Sequence, residues 1–230
     1  MARYFIGIKR LTTPRFLVIY PLVICFFFIA HITEPHLRLG ILIIFLGEAL
    51  RVWANGHVGH VKMGKLVTNG PYAFMRNPLY FGSFMIALGF FVIMGRFWFA
   101  IAAFGSLFLI YRRQIIREEE TLLREWGSPY AHYQQRVSRY LPLRKRYPCP
   151  QGKWGWQGIL KSQEWKTVFW LIVFIILIYF WKETVQEHRP LFDERRKLHL
   201  FLLGIVLTLV VTDGLFELLK RLTKAEAKVE

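Results

Sequence analysis

Two short polar stretches carry most of the residues in this chain whose types suit chemistry. The first, Leu66–Gly82, gathers Gly70, Pro71, Tyr72, Arg76, Asn77, Pro78 and Tyr80 into a turn that runs straight into an apolar segment. The second, Arg117–Pro142, holds Glu118, Glu119 and Glu120, then Tyr130, Tyr133 and Arg136. Pro78 suits the first turn of a helix, where its missing N–H is no loss, and a helix start exposes backbone N–H groups that can receive an anion. With Arg76 beside it, this is either an anion-receiving helix start or a plain helix start next to a snorkelling arginine. The three glutamates read either as a solvated helix paired with Arg117 and Arg124, or as acceptors for a cationic or hydroxyl-rich ligand. Tyr130, Tyr133 and Arg136 recur every three residues, on roughly one helix face.

Other polar residues sit inside apolar runs. Glu48 and Arg51 are three apart and read as an internal ion pair or as a functional pair, since an ionisable group in a membrane helix is costly. Asp213 and Glu217 stand four apart, within reach of Lys220 or Arg221. His57 and His60 lack a nearby cysteine or carboxylate, so no metal is expected. No Gly-rich dinucleotide fingerprint follows a strand and no P-loop pattern is present, which leaves a Rossmann-type cofactor domain unsupported.

The elements that must position these residues are membrane helices. Of 230 residues, 54% are hydrophobic and 17% aromatic, far above a typical soluble domain. Six apolar runs follow one another: Phe16–Ile32, Leu37–Ala54, Leu79–Gly95, Phe97–Ile116, Val168–Trp181 and Leu198–Leu219. They are continuous rather than alternating, which favours helices over a barrel. The expected fold is therefore all-α and polytopic, with about six transmembrane helices and a helical catalytic segment on the cytosolic side. The fourth helix is expected to continue to Trp126 and end at Gly127, with Ser128 as N-cap and Pro129 first in a new helix. Tyr147–Gly158, with Trp154 and Trp156, reads as a turn-rich interfacial linker. The divisions are 1–36 for the N-terminal arm and first helix, 37–145 for the core, and 146–230 for a linker and C-terminal hairpin.

The formal charge is +16, from 31 Lys and Arg against 15 Asp and Glu. In a chain this apolar, that balance points to a basic cytosolic face against anionic lipid and not to nucleic acid. Basic residues crowd the N-terminal arm, the loop after the second run, the segment after the fourth and the C-terminal tail. Both termini and both polar stretches are thus expected in the cytosol. Cys25 lies in an apolar run and Cys149 in a basic loop, so no disulfide framework is expected. No cleavable signal is evident, and the first run is expected to stay as a helix.

Taken together, the two stretches resemble the integral-membrane superfamily of isoprenylcysteine carboxyl methyltransferases, with phospholipid methyltransferases as relatives. Gly47-Glu48-Ala49-Leu50-Arg51 is similar to a GE-x-LR element ending a membrane helix. Gly70-Pro71-Tyr72 and Arg76-Asn77-Pro78-Leu79-Tyr80-Phe81-Gly82 are similar to G-x-Y-x-x-x-R-H-P-x-Y-x-G. Glu118-Glu119, Leu122 and Gly127 are similar to E-E-x-x-L-x-x-x-F-G, with Trp126 in place of Phe. Tyr130, Tyr133, Arg136-Val137 and Pro142 are similar to Y-x-x-Y-x-x-R-V-P-R-x-x-P, with Ser138 in place of the first proline. The likeness covers about Gly47–Pro142 and leaves the last helix pair unexplained.

The resemblance implies S-adenosylmethionine as cofactor on the cytosolic side and an amphipathic, lipid-like acceptor entering from the bilayer. It implies Tyr72, Asn77, Pro78, Tyr80, Gly82, Glu118 and Glu119 as cofactor-site residues, and Arg76, Tyr133 and Arg136 as residues that place the acceptor. Asn77 stands where carboxyl methyltransferases usually have His; it cannot titrate near neutrality, so this position is no base. The expected activity is isoprenylcysteine carboxyl O-methylation, with phospholipid or small-molecule N-, S- or O-methylation as the alternative. A sterol-reductase-like membrane oxidoreductase and a non-catalytic membrane scaffold are the further readings. The implied location is a multi-pass protein of the plasma or inner membrane in a prokaryote, or of the endoplasmic reticulum in a eukaryote.

Overall fold

The computed structural model describes residues 26–58, 66–142, 146–148, 153–188, 200–201, 203–208 and 211–212. Most of the first and much of the last apolar run, together with Cys25, His60, Cys149, Asp213, Glu217, Lys220 and Arg221, lie outside the described residues. Six helices organise what remains: α1 Glu34–Val58, α2 Pro78–Met94, α3 Phe97–Trp126, α4 Ser128–Arg136, α5 Trp156–Ser162 and α6 Glu164–Trp181. The described residues are mostly helical and contain no strand. Two of the helices, α3 and α6 with its continuation to Gln186, are long and apolar enough to cross a membrane; α2 is a shorter apolar helix.

The chain divides into two units, residues 1–169 and 170–230. In the first, α1 and α2 pack closely because glycines face each other across the crossing. A Cβ on Gly47 would lie 2.8 Å from the Gly82 carbonyl, and one on Gly82 would lie 2.7 Å from the Gly47 carbonyl. Any side chain at either position would force the helices apart. α2 ends at Gly95, whose φ of 67° gives the left-handed cap that turns the chain into α3. Phe91 on α2 meets Ala103 and Leu107 on α3 in a small apolar core.

In the second unit, the helix begun in α6 continues as a π turn, Lys182–Gln186. There Lys182 pairs with Glu187 at 2.7 Å, and the Tyr179 hydroxyl donates to Glu183 at 3.0 Å. Residues 203–208 are helical.

Several boundaries differ from the sequence expectation. α1 starts at Glu34, inside what reads as a linker, because Thr33 accepts the Leu37 N–H at 2.9 Å and Pro35 fits a helix's first turn. α3 does run unbroken to Trp126, but the residue capping α4 is Gly127, with Ser128 already helical and no side-chain cap. The stretch Tyr147–Gly158 is not turn throughout: α5 begins within it at Trp156. α6 begins at Glu164, four residues before the apolar run, and an acidic residue in a first turn suits the helix dipole.

Candidate functional site

The two polar stretches meet on one buried carboxylate. Glu119 leaves the inner face of α3 with its side chain 4% exposed. Arg76 brings Nε within 3.1 Å of Oε1 and donates from Nη2 to Oε2 at 3.3 Å. Asn77 donates from Nδ2 to Oε1 at 2.9 Å and to the Arg139 carbonyl at 3.2 Å. Arg139 closes the other side, with Nε at 3.0 Å and Nη2 at 2.9 Å from Oε2. One acid thus holds two guanidiniums and an amide, a forked geometry that only arginine supplies.

Backbone contacts bring these side chains together. Val137 ends α4 in extended conformation, so the next residue runs alongside the turn before α2. Met75 and Ser138 form a parallel bridge, and the Arg76 N–H donates to the Ser138 carbonyl at 2.9 Å. Arg76 Nη1 also donates to the Gln134 carbonyl at 2.9 Å, near the end of α4. From below, the Tyr133 hydroxyl donates to the Tyr72 carbonyl at 2.7 Å, bracing the 3-10 turn Gly70–Ala73. Tyr130, Tyr133 and Val137 form the apolar floor, packed by Leu66, Leu122, Trp126 and Tyr147. Burial pushes the Tyr133 phenol far up and the Tyr130 phenol up to about 12, with the Glu119 charge adding to Tyr130. Burial raises Tyr72 as well, so all three phenols are neutral near pH 7.

Glu118 points elsewhere, a turn of 100° per residue away from Glu119. Its Oε1 accepts from the Tyr80 hydroxyl at 2.7 Å and from Gln114 at 3.2 Å. Both bonds fall on Oε1, leaving Oε2 to accept from something else. The Tyr72 phenol lies in the fields of Arg51, Glu118 and Glu164.

The Arg51 group is the second ionic cluster. Arg51, on α1, donates from Nε to Glu164 at 2.7 Å and from Nη1 to the Ser83 hydroxyl. Its Nε lies 3.5 Å from Glu48, whose carboxylate is buried. Gly82 makes room for this arginine: a Cβ there would lie 2.5 Å from Arg51 Cγ.

Of the residues expected from sequence, Arg76, Asn77 and Glu119 are brought into one cluster, with Tyr80 and Glu118 beside it. Pro78 is buried at the start of α2, and Gly82 lies on the α1 crossing. Tyr133 is buried and its hydroxyl is committed to a backbone carbonyl. Arg136 is exposed and does not join the cluster. Tyr130 and Tyr133 are buried, whereas Arg136, about 120° around the helix from Tyr130, is exposed. The solvated-helix reading of the glutamates is corrected for two of them: Glu119 pairs with Arg76 and Arg139, and Glu118 with Tyr80 and Gln114, while Glu120 is exposed. Sequence reasoning missed Arg139, although it fills the second arginine of the pattern R-V-P-R. It also missed Glu164, which lies 113 residues from Arg51 and has no local signal. Among the described residues no group of three or more His, Cys, Asp or Glu is arranged to hold a metal ion.

Residues 36–128 match the family described as phospholipid methyltransferase. Among curated proteins, the chain is 32% identical over 108 residues to the protein-S-isoprenylcysteine O-methyltransferase of Schizosaccharomyces pombe, covering 43% of this chain and 46% of that one. It is 28% identical over 166 residues to a probable protein-S-isoprenylcysteine O-methyltransferase of Oryza sativa subsp. indica, covering 62% and 87%. It is 29% identical over 114 residues to the cobalt-zinc-cadmium resistance protein CzcN of Cupriavidus metallidurans, covering 48% and 51%. The core of this chain therefore resembles the superfamily of isoprenylcysteine carboxyl and phospholipid methyltransferases. The chain spans under half the length of its Schizosaccharomyces pombe relative.

Proposed function

We propose that this protein is an integral-membrane methyltransferase that uses S-adenosylmethionine and acts on a lipid-like acceptor, with an isoprenylcysteine carboxylate as the first candidate. The observation that carries this reading is the meeting of the two polar stretches on Glu119, with Glu118 held alongside. Relatives named as methyltransferases support it, and such an enzyme requires a methyl donor. Residues 37–145 form the proposed catalytic core. Six membrane-spanning helices with both termini in the cytosol would set both polar stretches on the face where the donor is available. The basic loops support that orientation.

The residues fit such a donor. Glu118 offers Oε2 to a hydroxyl or ammonium group, and Tyr72 and Tyr80 flank it. Arg76, Asn77, Pro78 and Glu119 hold the wall behind, and Gly82 keeps α1 and α2 close enough to form it. When bound, S-adenosylmethionine supplies an electrophilic methyl group. The chain's part is alignment and exclusion of water. Arg136 is an exposed cation able to receive an acceptor carboxylate, and Tyr133 keeps the turn under the site rigid. A carboxylate needs no base. An amine acceptor does need to shed a proton, and Glu118 is the group near enough to the site to take it. Asn77 in place of the usual His favours that second reading, a phospholipid amine acceptor.

The test is purified protein with methyl-labelled S-adenosylmethionine and a panel of prenylcysteine and phospholipid acceptors. Label released as methanol by mild base identifies a carboxyl methyl ester; base-stable lipid label identifies the amine reading. Absence of cofactor binding overturns the proposal. Arg136→Ala should abolish transfer without moving the unfolding midpoint, and unchanged turnover would remove Arg136 from the site.

A further inference from the structure

Glu164 lies beyond the matched segment 36–128, yet its carboxylate makes the 2.7 Å bond to Arg51 Nε. Its side chain is 5% exposed and that of Arg51 is 19% exposed. Arg51 also faces Glu48, Ser83 and, more distantly, the Leu79 carbonyl at 3.5 Å. With both acids ionised, the group carries a net charge of −1. The Glu48 carboxylate oxygens are enclosed, and no donor on the described residues hydrogen-bonds to them. Through the Leu79 carbonyl and the Ser83 hydroxyl this second cluster reaches the first turns of α2, whose N-cap Asn77 belongs to the first cluster.

An arginine bordering a lipid site is a natural anchor for an anionic head group. Here two acids cover it. We propose that Glu164 is a positioning and specificity-determining residue: it fixes and neutralises Arg51, so that an anionic acceptor head is refused at this end of the site. The acceptor carboxylate is then left to the exposed Arg136 at the end of α4. Helix α6 would thus contribute to selectivity through its first residue. In its turnover arm this inference rests on the methyltransferase reading; in its binding arm it does not.

The experiment uses the full chain in detergent micelles and two fluorescent farnesyl-chain probes. One ends in a carboxylate, the other in the neutral methylamide, so nonspecific partition cancels in their ratio. Glu164→Gln should tighten carboxylate binding roughly tenfold relative to the amide, because it removes one negative charge from beside Arg51. Glu164→Asp, which keeps the charge, should restore the original ratio. In turnover, Glu164→Gln should lower KM for a carboxylate acceptor and lower kcat with it, because the head binds in the wrong place. An equal change for both probes, or none, overturns the inference and makes Glu164 a purely structural residue. If Glu164→Gln does not fold, Glu48→Gln removes the other acid and should shift the ratio the same way; an unchanged ratio there overturns it too. A shifted ratio in a protein that transfers no methyl supports the role of Glu164 and counts against the methyltransferase reading.

Discussion

The Glu119 and Arg51 clusters are the same device with the signs exchanged. In one, a single buried acid holds two arginines and an asparagine, and the net charge is +1. In the other, a single arginine is held by two acids and a serine. Their supports differ as well. The Glu119 cluster is fastened by backbone contacts, the Met75–Ser138 bridge and the Arg76 N–H to Ser138 carbonyl bond. The Arg51 cluster is fastened by helix packing, its arginine passing over Gly82 to reach Ser83 and Glu164. The lesson is that charge balance and mechanical support are separable: the first cluster is built to hold a turn in place, the second to set the charge of a wall.

That contrast breaks most sharply at Glu119. Removing one partner of a buried ionic group leaves the others uncompensated, so Glu119→Ala should cost about 3–5 kcal/mol of stability. Arg139→Ala should cost under about 1 kcal/mol, because that side chain is 38% exposed and water replaces it. Thermal unfolding in detergent checks both, and equal losses would deny Glu119 its central place. Next in size, Gly82→Ala should cost about 1–3 kcal/mol through overpacking. It should displace Arg51 and leave the Glu119 bonds intact, which an infrared or NMR probe of the arginines would report. Smallest is the alkaline limb. Tyr130 has a folded value of about 12, above the ordinary value near 10. The unfolded chain therefore loses its proton first as pH rises, so this contribution is full below about pH 10 and lost through about 12. Tyr130→Phe should flatten that limb of the stability profile, and an unchanged slope would remove the phenol from the account.

Much of the fold was legible because apolar runs and their punctuation are local. The Gly95 turn, the unbroken helix to Trp126 and the stop at Gly127 all follow from single residues and their neighbours. The convergence of Arg76, Asn77 and Glu119 was legible only through the family pattern, since their separations of 42 and 43 residues carry no periodic signal. Arg136 and Arg139 show where spacing misleads: both are basic and three apart, but Arg136 ends α4 while Arg139 follows the extended Val137 back toward Met75. Glu164 was illegible. It reads as the edge of a basic linker, and its role depends on α5 and α6 folding back to the end of α1, where Gly155 donates to the Gly56 carbonyl at 3.1 Å.

The spacing of the Glu119 cluster also sets an order of events during synthesis. Arg76 leaves the ribosome 43 residues ahead of Glu119, and Arg139 follows 20 residues later. At ordinary elongation rates of roughly 5–20 residues per second, Arg76 waits ~2–9 s for its counter-ion. In the proposed membrane topology, helix α2 would pass that interval with a cation at its start, before Glu119 is made. A positive charge at that edge resists being drawn across, so in that topology the same arginine would first hold the hairpin's orientation and later clamp the turn.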